Sequence, residues 1–600
     1  MFSQITVYAR YALLLLLLVP VTVGVIGVVF PALGYFPALG EHSFSFRIFV
    51  ELLNVQHIGQ MILLSLFSGV GSTILASFIT FLLLAHCYQS SLLNKIQALL
   101  SPMLVLPHAA AAIALLFVLS PSGLVARFIG TITDSAMPST TVGLFPYDEW
   151  GLSVLLVLVI NEVPFILLMA LSVMAQPNNK QKLEGYQRAG TALGYSAPST
   201  FFKLILPSIY TQIKLPILAV LVFATSNVEI PLLIGLNNPS TLSVAILHWF
   251  NHVDLSMRLL GSAASILQGV VCVLAIVVFF TVERMISWWG RRQLSTGRRN
   301  FFNRTVALLG TCTFGIYVFL IAGVVYTVVS YSFAEHWVFP RLFPEALTLL
   351  HWKTAFSAIG QPLLNTLLLG LATSVSSVVL VLLTLESEVL VPATRKAAAL
   401  FSFSLFLPLL VPGVAFLYGL VWFQQLLSVH ALGFHTYIAH MVYVLPYVYL
   451  SLAVSYQRFD NRYVMVAQSL GKSPFQVFWY VKLPTLLNSV LVAWALGLAI
   501  SFSQYLPTML ASGGAIPTVT TEAVASVSGS SVRLTAVYAV IQAVMPLLGF
   551  VIAWTLPKLI TLNRSRKRAR NRTSMAKSNR LSDQARKKEG LNKKVVHHGR

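Results

Sequence analysis

Apolar residues in this chain run for roughly twenty positions at a stretch, again and again, with only short polar interruptions. A helix needs about 20 such residues to cross the hydrocarbon of a bilayer, and twelve stretches qualify. In the first half they lie at about 11–30, 60–86, 98–120, 152–175, 213–236 and 259–282. The second half adds about 306–331, 361–385, 398–427, 435–457, 488–511 and 534–557. The runs are continuous rather than alternating, which predicts spanning helices and not the strands of a barrel.

Two of the polar interruptions are long and resemble each other. Tyr186 to Pro207 reads YQRAGTALGYSAPSTFFKLILP, and Tyr463 to Pro484 reads YVMVAQSLGKSPFQVFWYVKLP. A shift of 277 positions lays Leu193-Gly194 on Leu470-Gly471, Phe201 on Phe478 and Leu206-Pro207 on Leu483-Pro484. The chain is therefore two related halves in one polypeptide. Within each island a helix is predicted to close at Gly194 or Gly471, since glycine best adopts the left-handed cap. A second helix starts at Ser196 or Ser473. The second copy is the better formed, because Ser473, Pro474 and Gln476 fit the N-cap, first-turn proline and third position of a capping box. That helix is expected to stop at the Leu-Pro pair, where the ring breaks the hydrogen-bond ladder. The division predicted is 1–285 for the first half with its island at 176–212, 286–304 for a linker, 305–557 for the second half with its island at 458–487, and 558–600 for a tail.

With 57% apolar and 10% charged residues the chain falls far below the charged share of about a quarter in soluble domains. The fold class is an all-α polytopic membrane protein of about twelve transmembrane helices in two repeated six-helix halves. Lys and Arg collect in alternate loops and set the orientation. With the N-terminus inside, the inner segments carry +27 and the outer loops −3, while Glu162 and Glu229 inside spans bring the chain to its net +22. Both termini and both islands are then cytoplasmic. The largest basic block is the tail, Lys558 to Arg600, which lacks an apolar period and reads as disordered chain beside anionic lipid; nucleic acid is not implied. Arg10 before a leucine run imitates a secretory signal, with Ala32-Leu33-Gly34 as a mock cleavage site. The run exceeds a signal core, so an uncleaved first span is expected. The linker holds Trp288, Trp289, Phe301 and Phe302, suited to the membrane interface. Cys87, Cys272 and Cys312 have no paired spacing and read as packing residues, as do His86, His108 and His440.

The islands resemble the EAA loop of permease subunits from binding-protein-dependent ABC importers. That loop has Glu-Ala-Ala, a Leu-Gly shortly after, and a hydrophobic-x-Leu-Pro ending thirteen positions beyond the glycine. Two copies in one chain resemble the fused permeases of the iron(III), thiamine and YnjC-like groups, and Ser501 to Ala525 is most similar to the last of these. The resemblance implies a bacterial inner-membrane importer subunit whose islands couple to a cytoplasmic ABC ATPase, in two copies, with a periplasmic or lipid-anchored substrate-binding protein outside. The coupling positions it implies are Arg188, Ala189, Gly190, Leu193, Gly194, Leu206 and Pro207, and Met465, Val466, Ala467, Leu470, Gly471, Leu483 and Pro484. Arg188 and Met465 stand where the family has glutamate, so a charge pair between that glutamate and the ATPase is lost.

No catalytic, cofactor or metal residues are predicted, and ATP is expected on the partner. Gly471-Lys472-Ser473 imitates a phosphate loop, but Val466 occupies the place of its first glycine. Polar side chains inside spans often mark a pathway. Asn161 and Glu162 precede Pro164, Asn227 and Glu229 precede Pro231, and Gln504 and Tyr505 precede Pro507; the latter two sets align between the halves and should face one another. The alternative for each is that it satisfies backbone groups freed by the proline. The loops Phe44 to Gln60, Pro121 to Trp150 and Ala334 to Gln361 face outward and suit a docked binding protein. Two other classes stay open: an ion-driven secondary transporter with six-plus-six repeats, and a membrane enzyme on lipid-linked substrates, for which only isolated outer acids such as Asp148, Glu149 and Asp254 are present. The solute, whether thiamine, iron(III) or another small molecule, is not encoded in these patterns.

Overall fold

A computed structural model describes residues 1–560 except 89, 91, 101–106, 134–144, 237, 296, 298, 300–302, 393, 427–430, 528 and 530. The tail beyond residue 560, Phe301 and Phe302 thus lie outside the described residues. Among the described residues eleven helices are long and apolar enough to cross a membrane. They are Phe2–Ala32, Ile58–Cys87, His108–Ile132, Leu152–Met174, Ala197–Ile234, Met257–Leu294, Asn303–Phe333, Gly360–Leu390, Leu432–Gln457, Pro474–Ser503 and Val532–Ile560. The stretch expected at 398–427 takes the form of two shorter helices, Arg395–Leu410 and Gly413–Leu426. Between them Val411 is extended at ψ 130, as a residue before proline prefers, and Pro412 ends the ladder.

The two halves exchange their first helices. Phe2–Ala32 packs mainly along Gly360–Leu390 and Gly413–Leu426 of the second half while also touching Met257–Ser295 of its own; Asn303–Phe333 does the reverse, lying on Ile58–Cys87 and His108–Leu119. Small residues allow these crossings, as is usual between membrane helices. A Cβ added at Gly27 would stand 2.6 Å from the Gly419 carbonyl oxygen, and one at Gly310 would stand 2.7 Å from the His86 side chain. The repeat is visible in single bonds. Leu242 N donates to Ser65 Oγ at 3.0 Å, and Val519 N donates to Thr366 Oγ1 at 2.9 Å, where 242 and 519 differ by the same 277 positions as the islands.

Of the cysteines, Cys87 and Cys272 are buried, but Cys312 is exposed on the outside of its helix, so the packing role expected for it does not hold. Arg127 staples the segment after His108–Leu119 to the one after Asn303–Phe333. Its guanidinium is buried, donates to the Val338, Arg341 and Ser122 carbonyls at 3.0, 2.8 and 2.9 Å, and lies 4.6 Å from the Trp337 ring. It thereby adds side-chain donors to backbone carbonyls beside a small antiparallel pair, Ala334–His336 with Ala346–Leu347.

Candidate functional site

Both islands fold into the same elbow. The helix Pro177–Ala192 ends with Tyr195 N donating to Gly190 O at 2.9 Å and Gly194 N to Thr191 O at 3.0 Å. In the second island Arg462–Ser469 ends with Lys472 N on Ala467 O at 3.1 Å and Gly471 N on Gln468 O at 2.9 Å. These paired bonds are the Schellman closure, and they place Gly194 at φ 76 and Gly471 at φ 75. Only glycine takes that conformation without a steric cost. The next helix starts at once. Ser196 Oγ accepts from Ser199 N at 3.4 Å, and in the second copy the capping box is complete, with Gln476 N on Ser473 Oγ at 3.4 Å and Ser473 N on Gln476 Oε1 at 3.2 Å.

That second helix does not stop at Leu-Pro, as expected from the sequence, but continues into the following span. The proline is absorbed by a π turn, Phe201–Ile205 in the first elbow and Phe478–Lys482 in the second. A proline ring collides with the carbonyl four residues back and offers no N–H to it. One extra residue in the turn carries that carbonyl, on Lys203 or Tyr480, out of the way. π turns of this kind frequently mark functional sites.

The coupling positions divide by exposure in the same way in both copies. Gly190 and Ala467 face inward and are buried, and a Cβ at Gly190 would meet Thr200 Oγ1 at 2.5 Å. Arg188, Ala189 and Leu193, and Met465, Val466 and Leu470, face out. Leu206 and Leu483 are half-buried, and Pro207 and Pro484 are exposed at the bend.

What braces each elbow differs. The second rests on an ion pair that sequence reading missed. Lys482 Nζ lies 2.6 Å from Glu386 Oε2 with both side chains buried, and the Tyr456 hydroxyl donates to the same oxygen. Lys482 corresponds to Ile205, and Glu386, twenty residues past Thr366, corresponds to Ala85, twenty past Ser65; the first elbow is braced by apolar contact where the second is braced by charge. The exchanged helices add a further brace. Phe2 stacks edge-on against Phe475 at 5.3 Å, while Asn303, at the start of the other exchanged helix, accepts from Ser196 Oγ at 2.5 Å, and Arg299 O accepts from Ser196 N at 3.3 Å.

The pathway candidates meet where two spans break. Leu206–Thr225 is followed by Glu229–Ile234, and Leu483–Ser503 by Leu506–Ser512. Asn227 Oδ1 accepts from Ile230 N at 2.9 Å, an N–H in the first turn of Glu229–Ile234. Glu229 reaches across the halves toward the backbone N–H groups of Tyr505 and Leu506. Gln504 Nε2 donates to the His440 carbonyl at 3.4 Å, and its Oε1 is buried without a partner. Asn161 Nδ2 and Glu162 Oε1 are likewise buried and unpartnered. Tyr443 and Tyr447, one turn apart, lie within electrostatic reach of Glu229 and Glu162 respectively. The histidines hold structure. His440 bridges Ser501 Oγ and Thr508 Oγ1, both at 2.9 Å, His86 meets Thr311 Oγ1 at 3.3 Å, and His108 packs on Phe223.

The outer acids are committed locally. Asp148 accepts from Leu152 N at 2.5 Å and Ser153 N at 2.7 Å, capping a helix. Asp254 accepts from Ser256 N at 2.9 Å, which holds its carboxyl below the usual range.

No family model matches the chain. It is 27% identical over 501 residues, 84% of this chain and 88% of the relative, to the inner membrane ABC transporter permease protein YnjC of Escherichia coli K12. Over 184 residues, 28% of this chain and 62% of the relative, it is 31% identical to a spermidine/putrescine transport system permease protein PotC homolog of Mycoplasma pneumoniae. Over 217 residues, 35% of this chain and 74% of the relative, it is 26% identical to the putrescine transport system permease protein PotI of Escherichia coli K12. Two like halves, two like elbows and these relatives support a permease subunit of an ABC importer, in a multi-pass protein of the inner membrane.

Proposed function

We propose that each elbow seats one copy of a separate cytoplasmic ABC ATPase, that ATP is hydrolysed there and not on this chain, and that the solute passes between the two broken spans. A substrate-binding protein delivers the solute to the outer loops stapled by Arg127. The solute is a small molecule of the kind such permeases carry: thiamine and iron(III) follow from the fused-permease resemblance, and a polyamine from the names of the PotC and PotI relatives. The observation that carries this reading is the recurrence, 277 residues apart, of one Schellman-closed elbow feeding a π turn. The motor is a two-state device, and partners that bind the two states unequally bias its access to either side.

The decisive experiment replaces Gly194 and Gly471 together by valine. A β-branched residue in the left-handed region costs roughly 1–2 kcal/mol per site, enough to open each elbow while the spans still insert. We expect the co-encoded ATPase to be lost from the purified complex and ATP-dependent uptake into proteoliposomes to stop. Undiminished co-purification with the double variant would overturn the reading.

A further inference from the structure

The two elbows share a backbone and an exposed leucine, Leu193 at 60% and Leu470 at 73%, but differ in what surrounds it. In the second, Tyr463, Val466 and Leu470 form one stripe at helical spacing with Met465 beside it, and their exposures are 60%, 59%, 73% and 60%. A cluster of exposed apolar side chains on one helix face marks an interaction surface, unlike single ones scattered over a protein. A Cβ at Gly471 would meet nothing within 4 Å, so the turn itself is open on this side.

At the equivalent positions of the first elbow stand Tyr186, Ala189, Leu193 and Arg188. Tyr186 is half-buried under the Lys182 ammonium at 5.6 Å. Arg188 is 84% exposed and only loosely paired with Glu184 at 3.9 Å. Arg188 and Glu184 line an open groove with Gln187, Thr191 and Ala192. The linker adds Arg299, whose side chain would lie 3.5 Å from a Cβ at Gly194. Around Leu193 the first elbow therefore has no apolar stripe but basic groups, one of them from the linker.

Resting on the coupling role proposed above, we infer that the elbows bind the ATPase pair unequally: the second inserts its Tyr463-Val466-Leu470 stripe and holds most of the affinity, and the first is steered by charge through Arg188 and Arg299. If the two ATPase copies are identical, one groove must serve both elbows, with an apolar floor and an acidic rim. Exposed charge pairs are screened by salt and apolar burial is not, so the two contributions separate by ionic strength.

The test uses the full chain in lipid nanodiscs and the co-encoded ATPase, with affinity measured at about 50 mM and about 500 mM salt. Replacing Val466 and Leu470 by serine should weaken binding by at least about tenfold at both salt levels. Arg188→Ala should leave the high-salt affinity unchanged and flatten the salt dependence. Since all three side chains are exposed, the variants should fold; Leu470→Ala alone, expected to lose several-fold at both salts, guards against a local disturbance by serine. Equal losses from the two elbows at high salt, or an unchanged salt dependence in Arg188→Ala, overturn the inference. Failure of the unaltered chain to bind the ATPase at either salt would instead remove the coupling role itself.

Discussion

At the scale of single residues, the contrast between Glu386-Lys482 and Ala85-Ile205 is a natural double substitution within one molecule. A buried ion pair is often no more stabilising than apolar residues of similar volume, but removing one partner leaves a charge stranded at a cost of about 3–5 kcal/mol. Lys482→Ile alone should therefore lower the thermal midpoint in detergent strongly, because Glu386 keeps only the Tyr456 hydroxyl. Adding Glu386→Ala, which recreates the pair found in the first half, should restore most of the loss. A double variant no more stable than the worse single one would show that the charges hold the second elbow in a way apolar contact cannot. Glu229 poses the opposite case. Its carboxyl faces the Tyr505 and Leu506 backbone across the halves, so Glu229→Ala should leave the chain folded and ATPase-bound while uptake falls by at least about tenfold, since a misplaced path-lining group costs at least that order. Uptake equal to that of the parent would take Glu229 off the path.

At the scale of elements, the elbows are legible in the sequence because their chemistry is local. Leu-Gly followed by Ser, then Pro and Gln, encodes a closure and a cap within a dozen residues, and Gly194, Ser473 and Gln476 do what their types dictate. What lies beyond was hidden for different reasons. Pro207 and Pro484 read as stops, because an α ladder cannot pass a proline, and nothing nearby announces that a π turn will admit it. Lys482 and Glu386 are 96 residues apart, so their pairing depends on tertiary packing alone. The same proline supplies a prediction. In Pro207→Ala with Pro484→Ala each π turn is free to close into an α turn, which rotates the elbow by about 100° against its span. The elbows keep their own closures, so the ATPase should still bind. Stimulation of its activity by loaded binding protein should drop at least about fivefold, the lower end of ordinary coupling factors. Retained stimulation would mean that the π turn does not set the elbow's aim.

At the scale of the whole molecule, the exchanged helices explain how two halves of one pore stay matched. Hydropathy announces a span but not the surface it packs on, so this exchange was invisible until Phe2–Ala32 was found on the second half and Asn303–Phe333 on the first. Each exchanged helix begins against the opposite half's elbow, through Phe2 on Phe475 and Asn303 on Ser196. A displacement of either elbow is thereby passed to a helix that belongs in sequence to the other half. The covalent linker should then be dispensable for assembly. Cutting the chain between Gly297 and Arg299 and co-expressing the fragments should give halves that co-purify through a tag on either one. Gly27→Leu with Gly419→Leu, which places side chains where the two backbones now touch, should separate the same fragments. If the cut halves fail to associate while each is inserted and folded, the linker and not the exchange holds the pore together.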